Sequence, residues 1–196
     1  MDRRISVAGL LVFCAAALCG LCCAQPAGEK VLVMISEQNI DGPRSAWWAS
    51  EIDLSATEAA IAQTLLTAGF DVIEPLEMQD TIKKDKAYRL IDVPERTSLK
   101  IASSAGADYI VVGKAVATAA GTVPESTMRS CYANLTAKLI RVKDRKVIAY
   151  LDAAGSSAHP DVVSGGREAL VAAGRVIAAK LVEALAKPGV QPAAGR

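Results

Sequence analysis

Residues 105–118 read AGADYIVVGKAVAT, and this stretch decides the fold. Gly106 is a natural helix stop, because glycine takes the left-handed backbone at little cost. Asp108 then opens a strand. Its first half, Tyr109-Ile-Val-Val112, is apolar at every position, which calls for cover on both faces and a central place in a sheet.

Upstream, Lys30-Val-Leu-Val-Met-Ile-Ser36 has the same doubly buried character. Residues 37–50, EQNIDGPRSAWWAS, read as a loop by their Asn, Asp-Gly-Pro and Ser content. Ser55 and Glu58 form a capping-box pattern at the head of a helix, and Leu54, Ile61, Leu65 and Ala68 give it one apolar stripe. Gly69 is placed to end it. A second strand runs over 70–74 until Pro75. Residues 76–91 are polar and mixed, with a short helix expected there. Pro94 suits the first turn of a further helix that reaches Ala105.

Downstream, 121–130 is a polar loop. From Cys131 to Val142 the residues alternate, with Cys131, Ala133, Leu135, Ala137 and Leu139 on one side and Tyr132, Asn134, Thr136 and Lys138 on the other. Lys143-Asp-Arg-Lys146 is a turn into an antiparallel strand over 147–151. A loop containing Ser-Ser-Ala-His-Pro-Asp leads to a long helix over 162–186, with a stripe of Leu170, Ala173, Ile177, Leu181 and Ala184. The order predicts an α/β (α+β) domain over 30–187, with a mixed sheet of about five strands and helices packed on it. A short segment, 25–29, precedes the domain, and residues 188–196 read as a tail that Pro188 separates from it.

Residues 1–24 read as an export signal. Arg3 and Arg4 precede an apolar run from Ile5 to Cys23, and small residues lead up to Ala24. A retained membrane anchor and a lipidated cysteine are the alternatives, and only they would tie the chain to a membrane. Of 5 cysteines, Cys14, Cys19, Cys22 and Cys23 fall in this segment. Cys131 alone remains, so the domain is expected to hold together without a disulfide or a cysteine-based metal site. Its place on the apolar side of its strand reads as a buried thiol.

The chain carries 22 Lys and Arg against 21 Asp and Glu, and loss of Arg3, Arg4 and Asp2 balances the two signs. That balance argues against nucleic acid as a partner. At 52% hydrophobic the chain has the means to build a core.

No nucleophile, phosphate-loop or dinucleotide motif is present. The single His, His159, precedes a proline and has no second His with which to share a metal. Catalytic, metal-binding and cofactor-binding residues are therefore all expected to be lacking. Gly165-Gly166 offers a helix N-terminus to an anion, or simply a flexible helix entry. Lys83, Lys84 and Lys86, interleaved with Asp85, read as a solvated face. Trp47-Trp48 in the Gly-Pro loop is the candidate partner contact, with one ring packed under the loop and one exposed.

The succession of Val33-Met-Ile-Ser36, Thr67-Ala-Gly-Phe-Asp-Val-Ile73, Ala105-Gly-Ala-Asp-Tyr-Ile-Val-Val-Gly113 and Ser130-Cys-Tyr-Ala-Asn-Leu-Thr-Ala-Lys-Leu-Ile-Arg-Val142, then Lys146-Val-Ile-Ala-Tyr150 and Arg167-Glu-Ala-Leu-Val-Ala-Ala173, resembles a group of bacterial envelope domains. These are the domains found in the flagellar assembly protein FlgT, the curli secretion protein CsgG and the penicillin-binding-protein activator LpoB. The resemblance spans about residues 30–186, and its sharpest motif is the Gly-Ala-Asp-Tyr run. Gly69, Gly106, Asp108, Tyr109 and Gly113 are fold-bearing positions in it. The chain departs from CsgG in lacking length for membrane-spanning hairpins, from LpoB in lacking a long arm before the first strand, and from FlgT in lacking further domains. The resemblance implies a non-enzymatic periplasmic module that binds another envelope protein. A periplasmic binder of small molecules or glycans, stacking a ligand on Trp47-Trp48, is the alternative.

Overall fold

The computed structural model describes residues 28–46, 55–73, 78 and 94–186. Along the chain these form β1 (Lys30–Gln38), β2 (Arg44–Ser45), α1 (Ala56–Thr67), β3 (Asp71–Val72), α2 (Glu95–Ser104), β4 (Tyr109–Thr122), β5 (Arg129–Arg141), β6 (Lys146–His159) and α3 (Val162–Ala186). The expectations for the leader, the Trp loop, Leu54, the lysines at 83, 84 and 86 and the tail lie outside the described residues.

One mixed sheet runs in the order β2-β1-β4-β5-β6, with β3 also pairing on β1. β1 is parallel to β3 and β4, while β4, β5 and β6 form an antiparallel meander. The sheet has six strands where about five were expected. The extra one is β2, where Arg44 and Ser45 turn back onto Gln38 and Glu37, inside the stretch expected as loop.

The doubly apolar runs sit where both faces are covered. Val31, Val33 and Ile35 of β1, Val111 of β4 and Leu135 and Leu139 of β5 pack under α1 and α3. Leu32, Met34, Ile110 and Ile140 face the other way, against Ile101 and Ala102 of α2. Leu170, Ala173, Ile177 and Leu181 of α3 are fully buried, as a stripe at helical spacing should be when it lies on a sheet. α2 has only 10 residues. At 1.5 Å per residue it spans about 15 Å, and the described residues leave part of its face of the sheet exposed.

β6 is the largest departure from expectation. It runs 14 residues to His159, through the stretch expected as a loop. Its second half consists of Ala, Gly and Ser instead of large apolar residues because α3 lies directly on it, and small residues make room for the helix backbone.

Gly106 has φ +69, and an added Cβ there would meet nothing within 4 Å. Gly106→Ala therefore isolates the cost of left-handed backbone. The expected loss is about 1 kcal/mol in urea unfolding, and an unchanged midpoint would refute it.

Candidate docking face

The sheet face shared with α2 is apolar at one end and polar at the other. Register places Met34, Val112, Lys138 and Tyr150 in one row across four strands, and Ser36, Lys114, Thr136 and Asp152 in the next. Further along, Thr118, Tyr132 and Ser156 stand side by side. These residues share a face because strand side chains alternate with period two.

Pro94, Glu95 and Ser98 at the head of α2 form one wall of a groove of about 690 Å³ over the first two rows. Lys138 is fixed in it from two sides. Its Nζ lies 3.0 Å from Glu95 Oε2 and 5.5 Å from the centre of the Tyr150 ring. The hydrogen bond and charge of Glu95 raise the Lys138 pKa and favour its charged form. Tyr150 is 72% exposed and Tyr132 49%, which is unusual for rings on a sheet face. Among the described residues no group of three or more His, Cys, Asp or Glu side chains is arranged to hold a metal ion. Nor is any helix among them long and apolar enough to cross a membrane.

The residues singled out in the sequence lie elsewhere. Trp47 and Trp48 are not among the described residues. Asp108 and Tyr109 stand at the start of β4, where the Lys30 N–H donates to Asp108 Oδ2 at 2.9 Å and the Val142 N–H donates to the Asp108 carbonyl at 2.9 Å. Asp108 thus ties β1 to the end of β5, and Tyr109 is buried beside it. Desolvation raises the Tyr109 pKa. It also raises that of Glu29, with the Asp108 charge adding to the effect at Glu29. Gly113 lies where β4 passes between Ile35 and Thr136, and a Cβ there would sit 2.5 Å from the Thr136 carbonyl oxygen. Gly69 has φ +89 just past α1.

Cys131 is buried, with its Sγ 3.7 Å from the Val162 carbonyl oxygen. The anion reading of Gly165-Gly166 is corrected by Asp161. Its carboxylate accepts the Ser164 N–H at 2.8 Å and fills the N-terminus of α3. That bond holds the Asp161 pKa below the usual range. The two glycines pack inward, against Cys131 and Ile40 respectively. His159 joins the same turn, with Nδ1 3.0 Å from the Asp161 N–H.

Sequence reading missed the face because it exists only through the register of strands far apart in the chain. One signal was available: the alternation of β5 already put Tyr132 on the polar side.

No protein-family model matches the chain, and no curated protein matches it. Among solved structures it is similar to the lipoprotein GNA1162 of Neisseria meningitidis, at 17% identity and a TM-score of 0.45, over 81% of this chain and 97% of that one. It is similar to the hypothetical protein CT253 of Chlamydia trachomatis at 11% identity and a TM-score of 0.45, over 82% and 96% of the two chains. It is also similar to the LpoB C-terminal domain of Salmonella enterica, at 17% identity and a TM-score of 0.39, over 65% and 82%.

Proposed function

We propose that this chain is a non-enzymatic module exported to the bacterial cell envelope, where it docks on another envelope protein and assists the assembly or activation of an envelope machine. The part of the sheet that the described residues leave exposed carries this reading. Two exposed tyrosines, a half-buried Val112 and the Glu95-paired Lys138 lie on one sheet face, which is the make-up of a protein contact. The leader-like segment and the resemblance of the sequence to envelope domains support the location. No observation among the described residues favours the glycan-binding alternative, since its Trp47-Trp48 loop is not one of them.

A photo-crosslinking amino acid placed at position 150 tests the reading in envelope extracts. The expected product is a discrete adduct with one protein, and a folded variant that yields no adduct would defeat the proposal. Tyr150→Ala should weaken binding of that protein by about thirtyfold, roughly 2 kcal/mol, as for a hot-spot aromatic. Its melting temperature should stay unchanged, because the ring is 72% exposed.

A further inference from the structure

A second concavity lies on the far side of Glu95, between α2 and the turn joining β5 to β6, with a volume of about 910 Å³. Arg96 and Lys100 enter it from α2, spaced four residues apart so that they share a helix face. Lys143 and Arg145 enter it from the turn. All four are exposed, and none has an ion pair or side-chain hydrogen bond among the described residues.

The acids on the same two elements are already engaged. Glu95 is held by Lys138 at 3.0 Å, and Asp144 by Arg141 at 3.3 Å. A chain that is nearly neutral overall thus gathers around one cleft four cations that no described residue pairs. Leu99 and Val142, both half-buried, supply apolar lining between them.

We propose that this cleft binds an acidic peptide segment of a protein partner, with aliphatic side chains on Leu99 and Val142 and carboxylates on the four cations. The guanidinium groups of Arg96 and Arg145 match carboxylates in a two-pronged geometry, and the lysines add point charges. The concave shape turns the cations away from a flat bilayer surface. No aromatic ring lines the cleft among the described residues to stack a nucleic-acid base. The volume also exceeds what a single small anion fills. The choice of a peptide rests on the proposed role as a protein-binding module, but the cleft shares only Glu95 with the lining of the Tyr150 groove.

The test is fluorescence anisotropy of the full chain with a labelled peptide of alternating Glu and Leu. Phosphatidylglycerol vesicles and a labelled oligothymidylate are measured alongside it. The peptide is expected to bind, with affinity falling as salt rises. The double variant Arg96→Glu, Lys143→Glu should weaken it at least tenfold. The double variant Arg167→Glu, Arg175→Glu, which makes the same charge change at exposed positions of α3, should leave it unchanged.

Three results would each overturn the proposal: no peptide binding at low salt, equal affinity in the Arg96/Lys143 double variant, or tighter binding to vesicles or oligothymidylate than to the peptide. Circular dichroism of both double variants excludes misfolding as the cause of a loss. Peptide binding without a Tyr150 adduct would remove the docking face and uphold the cleft, while an adduct without peptide binding would remove the cleft alone.

Discussion

Gly155→Ala is expected to destabilise the fold by about 3 kcal/mol, the upper end of what overpacking a filled interior costs. In a domain of this size that lowers the melting temperature by roughly 10 °C. A Cβ at 155 would overlap the Ala169 carbonyl oxygen and sit 2.6 Å from the Ala173 nitrogen. Both atoms belong to the backbone of α3, so no rotamer change relieves the clash. The helix must lift away from β6, and Leu170, Ala173 and Ile177, all fully buried beneath it, lift with it. Gly121→Ala, where a Cβ meets nothing within 4 Å, is the matched control and should be near neutral. Equal melting temperatures for the two variants would show that α3 does not rest on β6 as described.

The same contact explains what could be read from the sequence. β1 and the first half of β4 were legible as unbroken apolar runs, and the stripe of α3 because its apolar residues repeat at helical spacing. The alternation in β5 was legible by its period of two. The second half of β6 was not, since Ala153 to Ala158 has neither bulk nor alternation in a region where a helix backbone lies on the strand. β2 was illegible because two residues show no period.

The docking face and the cationic cleft were illegible for another reason. Lys114, Thr136 and Asp152 are ordinary strand residues until register aligns them. Lys143 and Arg145 are ordinary turn residues until α2 brings Arg96 and Lys100 opposite. Overall charge balance argued against nucleic acid as a partner, but balance over a whole chain says nothing about segregation within it.

Glu58 carries the second large effect. The capping box at the head of α1 forms as its sequence suggests, with Ser55 Oγ accepting the Glu58 N–H at 3.2 Å and Glu58 Oε2 accepting the Ser55 N–H at 3.1 Å. The sequence did not reveal the third bond, in which Glu58 Oε1 accepts the Ile35 N–H of β1 at 2.7 Å. On that edge of β1, β3 pairs with Lys30 and Val31, and β2 with Glu37 and Gln38. The Glu58 carboxyl stands in the gap between them and takes the place of a strand partner.

Glu37, with its Oε2 on the Thr57 N–H at 2.8 Å, is the neighbouring charge, and both side chains are buried. Burial, with a smaller push from Glu37, raises the Glu58 pKa from 4.5 to about 8, against the lowering effect of the hydrogen bonds it accepts. An acid whose folded pKa lies above its unfolded value keeps a proton that the unfolded chain releases. Its contribution is therefore most favourable below about pH 4.5 and is lost as pH rises toward 8, beyond which it is level. The slope in that window approaches about 1.4 kcal/mol per pH unit.

Glu58→Gln keeps the volume and one acceptor but has no proton to lose. Urea unfolding at pH 5.5 and pH 8.5 should show the wild type losing stability between the two while the variant loses far less. Glu58→Ala leaves the Ile35 and Ser55 N–H groups without this acceptor and should cost about 3 kcal/mol or more at either pH. A wild-type pH slope that persists undiminished in Glu58→Gln would assign the titration to another group and leave Glu58 as a cap alone.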